Sequence, residues 1–250
     1  MNTEYYKEYS FNLNRDMEFK VYGHSGKPVL VFPSQDGRFF DFENNGMVDC
    51  VKSYIDEGRI QLFCCDSIDK ESWSNTLGDK RHRIYMHEQW YYYITDELVP
   101  RIFEVNKNSN GYYADGILTT GCSMGATHAV NFMFRRPDIF DGCIGLSGYY
   151  DSDFAFYDYC DDLVYKNAPI KYIKNMPYDH EFINKYRKNK VVICCGQGAW
   201  EDEMIYSLNQ LKNILNHKNI NAWVDLWGKD VNHDWDWWRV QLPYFLEKIL

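Results

Sequence analysis

Gly121-Cys122-Ser123-Met124-Gly125 places a serine between two small residues at a spacing that suits a nucleophile. The run before it, Gly116-Ile117-Leu118-Thr119-Thr120, reads as a buried strand. The run after it, Ala126 to Phe134, reads as a helix. A strand, a sharp turn and a helix form a nucleophile elbow, which presents a serine hydroxyl on a strained backbone. The flanking glycines suit a turn packed too tightly for side chains. The chemistry such a serine performs is attack on a carbonyl carbon, which makes an acyl hydrolase or acyl transferase the expectation.

A serine hydroxyl needs a base within hydrogen-bond reach, and the base needs an orienting carboxylate. In α/β-hydrolases, where this elbow occurs, the partners follow in the order serine, acid, histidine. Downstream of Ser123 stand His128, His180, His217 and His233. His128 lies five residues into the elbow helix and should point away. His180 falls in an irregular segment, and His217 sits near a helix end beside Lys218. His233 follows the last predicted strand through the short loop Gly228–Asn232, where the base is expected. The acid is expected in the loop Gly196-Gln197-Gly198-Ala199-Trp200-Glu201-Asp202-Glu203, and Glu201 and Asp202 are both candidates. Acids there also suit a helix N-terminus. The oxyanion hole calls for two backbone N–H groups, one from Met124 and one from the loop Pro33–Arg38, where Gln35 and Asp36 are the candidates. Cys122 is expected to pack beneath the elbow. With Tyr149, Tyr150, Trp200 and Trp235 it is also a candidate for the wall of the substrate pocket, where aromatic rings could stack on a ligand.

These residues need a scaffold. The N-terminal segments Glu4–Leu13, Met17–His24 and Pro28–Phe32 read as an antiparallel start. Thereafter helices and strands alternate: a helix near Gly46–Asp56, the strand Gln61–Cys65, a helix near Met86–Val105, the elbow strand and helix, and the strand Asp141–Leu146. Then come Val191–Cys195, a helix near Glu201–Leu215, Asn221–Trp227 and a C-terminal helix from His233. That alternation predicts an α/β fold with a mostly parallel sheet covered on both faces. Residues 149–189 break the rhythm and are expected to form a cap over the carboxyl edge of the sheet, where open α/β sheets bind ligands. The whole chain, 1–250, is expected to be a single domain.

With 27 Lys and Arg against 36 Asp and Glu, the formal net charge is −9, which argues against a nucleic-acid partner and against docking on anionic lipid. Hydrophobic residues make up 45% of the chain, enough for a sizeable core. No signal peptide and no membrane span is read in the sequence. The eight cysteines include the strand pairs Cys64-Cys65 and Cys194-Cys195, which suit reduced, buried thiols and a cytoplasmic location. No C-x-x-C spacing occurs, so no zinc site is expected.

Taken in order, several stretches resemble the Putative esterase family of α/β-hydrolases. That family includes esterase D, which is S-formylglutathione hydrolase, and the mycobacterial mycolyltransferases. The stretches are Glu97-Leu98-Val99-Pro100, the elbow, Arg136-Pro137-Asp138-Ile139-Phe140, Leu146-Ser147-Gly148 and His233-Asp234-Trp235-Asp236-Trp237-Trp238-Arg239. The resemblance implies the α/β-hydrolase fold, Ser123 as nucleophile and His233 as base. Gln197-Gly198-Ala199-Trp200-Glu201 is similar to the Gln-Gly-x-x-Asp run of S-formylglutathione hydrolases, which puts Glu201 ahead of Asp202 as the acid. Alignment of the run from Pro28 to Ser34 puts the second oxyanion donor at Asp36. The function implied is a serine carboxylesterase acting on small-molecule esters, with no metal or organic cofactor. A thioesterase, an acyltransferase and an inactive ligand-binding relative are the alternatives. A homo-oligomer is compatible with all of them.

Overall fold

The computed structural model describes residues 1–250. Eight strands form one sheet: β1 (Thr3–Ser10), β2 (Arg15–Tyr22), β3 (Lys27–Phe32), β4 (Ile60–Cys65), β5 (Ile117–Cys122), β6 (Phe140–Leu146), β7 (Lys190–Cys195) and β8 (Ala222–Leu226). Their spatial order is β1-β2-β4-β3-β5-β6-β7-β8. β1 pairs antiparallel with β2, and β2 with β4; every other pairing is parallel. The expected antiparallel start therefore stops at β2. β3 is an unbroken apolar run, buried from Pro28 to Phe32, and takes an interior place between β4 and β5. A strand covered on both faces reads as such a run. β1 alternates between exposed and partly buried residues and forms the edge.

The strands divide their side chains between two cores. Leu30, Phe32, Phe63, Cys65, Cys143, Ile193 and Cys195 join one. Val29, Val31, Leu62, Cys64, Ile144, Val192 and Cys194 join the other. Each adjacent cysteine pair thus splits across the sheet, as strand alternation requires. All eight cysteines are free thiols.

The longer helices are α1 (Lys80–Tyr92), α2 (Val99–Asn110), α3 (Met124–Arg135), α4 (Asp202–His217) and α5 (Trp235–Ile249). α1 and α2 form one rod joined by the π-helical turn Tyr93–Leu98. The rod is longer than the apolar pattern predicts. The Asp79 carboxylate caps its polar start by accepting from the His82 N–H at 2.8 Å, and Gly111 ends it in the left-handed region at φ 78°. The helix expected over 46–56 is broken into Met47–Cys50 and Lys52–Asp56, because Val51 between them leaves helical geometry. No helix is long and apolar enough to cross a membrane.

Residues 149–189 form four short helices: Asp153–Phe156, Asp162–Lys166, Pro169–Asn175 and Glu181–Tyr186. Ile170, Ile173, Ile183 and Tyr186 from the later ones enter the core that also holds Val130 and Phe134 of α3. Only the start of the segment, Tyr149 and Phe154, reaches the cavity beside Ser123.

Candidate active site

β5 ends at Cys122, and Ser123 follows at φ 56°, ψ −122°. A non-glycine residue at positive φ is strained and is held there only by its surroundings. The flanking glycines supply the clearance. A Cβ on Gly121 would lie 2.4 Å from the Gly125 carbonyl carbon, and one on Gly125 would lie 2.4 Å from the Phe32 carbonyl oxygen. Substitution at either would push α3 off the sheet. The Ser123 N–H donates to Leu146 O at 2.8 Å, which ties the elbow to the end of β6.

The loops after β7 and β8 are stitched together. Gly198 N donates to Val231 O at 2.8 Å, His233 N to Ala199 O at 3.0 Å, and Ala199 N to the Asn232 side-chain oxygen at 2.8 Å. This stitching brings two segments distant in sequence to one point. His233 Nε2 lies 2.9 Å from Ser123 Oγ. His233 Nδ1 faces Glu201 Oε2 at 3.5 Å. That separation is within ion-pair reach but too long for a hydrogen bond, and both atoms are buried without another partner. Each is therefore free for the other.

Glu201 is completely buried. Its second oxygen, Oε1, accepts from the Ser147 hydroxyl at 2.6 Å and from Gly196 N at 3.3 Å. Ser147, itself at φ 58°, accepts in turn from Trp238 Nε1 at 3.1 Å. The Trp238 ring stands edge-on to the His233 imidazole, with centroids 4.9 Å apart at 85°. One tryptophan thus packs against the histidine and, through one hydroxyl, braces the carboxylate. Sequence reasoning missed both braces. Ser147 appeared only within a family stretch, and its position directly after a buried strand was the available signal.

Asp202 is exposed as the first residue of α4 and lines an outer groove rather than facing the imidazole. Met124 is also the first residue of its helix, so its N–H has no carbonyl to reach in the turn before it. The amides of Gln35 and Asp36 are taken up by no hydrogen bond within the chain. Gln35 lines the cavity; Asp36 lies in the left-handed region at φ 59°.

The cavity at Ser123 measures about 190 Å³, with Met124, Thr127, Tyr149, Phe154 and Met204 among its walls. Four residues expected in that wall are elsewhere. Cys122 and Tyr150 are fully buried in opposite cores, because the strand pleat and the close packing around Gly145 and Gly148 turn them inward. Trp235 packs on Phe42 and Trp238. Trp200, held at φ 68°, projects into solvent at 85% exposure. Phe154 and Met204, which the sequence did not single out, stand in the wall instead.

A mostly parallel sheet covered on both faces, with a Ser–His–carboxylate arrangement at its carboxyl edge, defines an α/β-hydrolase. Over residues 10–249 the chain matches the model of the family described as "Putative esterase", and it belongs to that family of carboxylic ester hydrolases. Solved structures with the same fold include a ferulic acid esterase (14% identity, 98% of this chain and 96% of that one, TM-score 0.75). The S-formylglutathione hydrolase of Agrobacterium tumefaciens superposes equally well (14%, 98% and 93%, TM-score 0.75). MPT51 (FbpC1) of Mycobacterium tuberculosis also shares the fold (14%, 100% and 98%, TM-score 0.71). No curated protein matches the chain at the sequence level.

Proposed function

We propose that the protein is a serine carboxylesterase that works through an acyl-enzyme on Ser123. The observation that carries this reading is the 2.9 Å contact between His233 Nε2 and Ser123 Oγ, with Ser123 in the wall of a cavity. In the proposed cycle His233 takes the Ser123 proton as the hydroxyl oxygen attacks the ester carbonyl. Glu201 orients the imidazole and stabilises its charged form, and the 3.5 Å gap closes as charge develops on the ring. The Met124 amide and an amide of the Gln35–Asp36 loop receive the oxyanion. The imidazolium then protonates the leaving alcohol. Water, deprotonated by the same histidine, releases the acid.

The whole chain acts as one domain in this reading, with 149–189 contributing a wall through Tyr149 and Phe154. Pre-steady-state turnover of 4-nitrophenyl acetate tests it. The expected record is a burst of nitrophenolate equal to the enzyme concentration, lost in Ser123→Ala. Turnover by Ser123→Ala at the wild-type rate would overturn it.

A further inference from the structure

The approach to Ser123 is lined by carboxylates and aromatic rings. The cavity of about 190 Å³ holds Tyr149, Phe154 and Glu203 in its wall. The same three residues also line a second, outer groove of about 400 Å³, together with Asp153, Asp202 and Tyr206. The two spaces therefore adjoin along these three residues. No Lys or Arg lines either part. Of the three acids, Asp153 is ion-paired with Lys171 at 2.6 Å; Asp202 and Glu203 have no cationic partner. Lys171 is itself shared with Asp151 at 3.1 Å, so the neighbourhood stays net negative. Glu203 also stands beside the Tyr149 phenol, whose ionisation is suppressed by burial first and by Asp151, Asp153 and Glu203 after it.

Two physical consequences follow for an ester bound with its carbonyl at Ser123. The inner cavity is smaller than the roughly 300–1,000 Å³ typical of small-molecule sites, so it suits a short acyl group. The outer groove then receives the alcohol, among the unpaired carboxylates of Asp202 and Glu203 and the rings of Tyr149, Phe154 and Tyr206. Aromatic rings attract cations, and exposed carboxylates beside them attract cations and repel anions. We propose that this groove selects esters by the charge of the leaving group, favouring short-acyl esters of cationic or neutral alcohols and rejecting those of anionic alcohols or thiols. The inference rests on the reading of Ser123 as the nucleophile. It places a net-anionic thioester such as S-formylglutathione among the poor substrates.

Three acetates of matched chain length test it: those of choline, of its neutral isostere 3,3-dimethylbutanol, and of 2-hydroxyethanesulfonate. Labelling of Ser123 by a fluorophosphonate is followed in parallel. At low salt kcat/KM is expected to fall in the order cation, neutral, anion, with the first exceeding the last by tenfold or more. The ratio should shrink at 0.5 M salt, where screening shortens to a few ångströms. In the Asp202→Asn/Glu203→Gln double variant the cation-to-anion ratio should drop toward one. Because the readout is a ratio on one protein, a partial loss of folded enzyme does not imitate it. A wild-type ratio near one, a preference for the sulfonate, or a ratio unmoved by the double substitution overturns the inference while Ser123 still labels. So does labelling without turnover of the choline and neutral acetates. Absence of both labelling and turnover overturns the underlying reading of the site as well.

Discussion

The molecule contains two histidine–carboxylate pairs, and they differ in what surrounds them. His128 Nε2 lies 3.0 Å from Asp69 Oδ1, with both side chains only 1% exposed. By distance alone it is the better pair, since His233 and Glu201 are 3.5 Å apart. Yet His128 is walled by Phe32, Trp73, His87 and Trp90, is closed off from solvent, and has no hydroxyl bonded to it. Its neighbour His87 belongs to the same closed network: it accepts from Trp73 Nε1 and meets Asn167 Oδ1, which also accepts from Asn131 and Arg135. The His233 pair spends its second nitrogen on Ser123, and Ser123 lines a cavity. The contrast teaches that a short histidine–carboxylate contact is a packing device unless a strained nucleophile and an entry path stand beside it.

The comparison can be broken most directly at the nucleophile. Ser123→Ala is expected to lower kcat by about 10⁶-fold, the scale seen when a triad nucleophile is removed. Asp69→Ala should leave kcat/KM within a few-fold of wild type. Next, Glu201→Gln should cost about 10⁴-fold in kcat, as amidation of a triad carboxylate does. Asp202→Asn should leave turnover of the neutral 4-nitrophenyl acetate within about threefold. Steady-state kinetics on that ester checks both; the reverse ranking would make Asp202 the acid. Ser147→Ala removes a hydrogen bond to a buried carboxylate. Such bonds contribute roughly 1.5–3 kcal/mol, so a 10- to 100-fold fall in kcat with little change in KM is expected.

The closed pair should answer in stability instead. Asp69→Ala leaves a buried imidazole nitrogen unpaired, at a cost of roughly 1–3 kcal/mol, readable as a lower urea midpoint. The smallest effect concerns pH. Burial, reinforced by His128 and Arg135, holds His87 well below its ordinary value of 6.5. Below about that pH the unfolded chain takes up a proton at His87 that the folded chain refuses. Stability is therefore expected to be full above pH 6.5 and to fall as the pH drops. His87→Gln should be more costly at pH 7.5 than at pH 5.5, and a cost independent of pH would contradict the assignment.

The sequence exposed the parts of this site that obey fixed spacing. The elbow is legible because only small residues fit between β5 and α3. His233 is legible because the order of partners leaves it alone after the last strand. The acid was narrowed to two neighbours, and burial separates them: Glu201 turns inward before α4, and Asp202 faces out on its first turn. Ser147 and Trp238 were not legible as a brace. Their contact depends on a positive φ at Ser147 and spans 91 residues, and no local pattern encodes either. Trp200 misled for the opposite reason: its place beside the acid loop is suggestive, but its backbone points it into solvent. In the fold, the alternation of strands and helices was legible. The insertion of β3 between β4 and β5 depended on tertiary pairing.

The central claim is that His233 activates Ser123 as the attacking group. Peptide mass spectrometry after reaction with a fluorophosphonate tests it most directly. One adduct per chain, on Ser123, slowed at least a thousandfold in His233→Ala and absent in Ser123→Ala, is the predicted result. An adduct on another residue, or Ser123 labelling at an undiminished rate without His233, would contradict it.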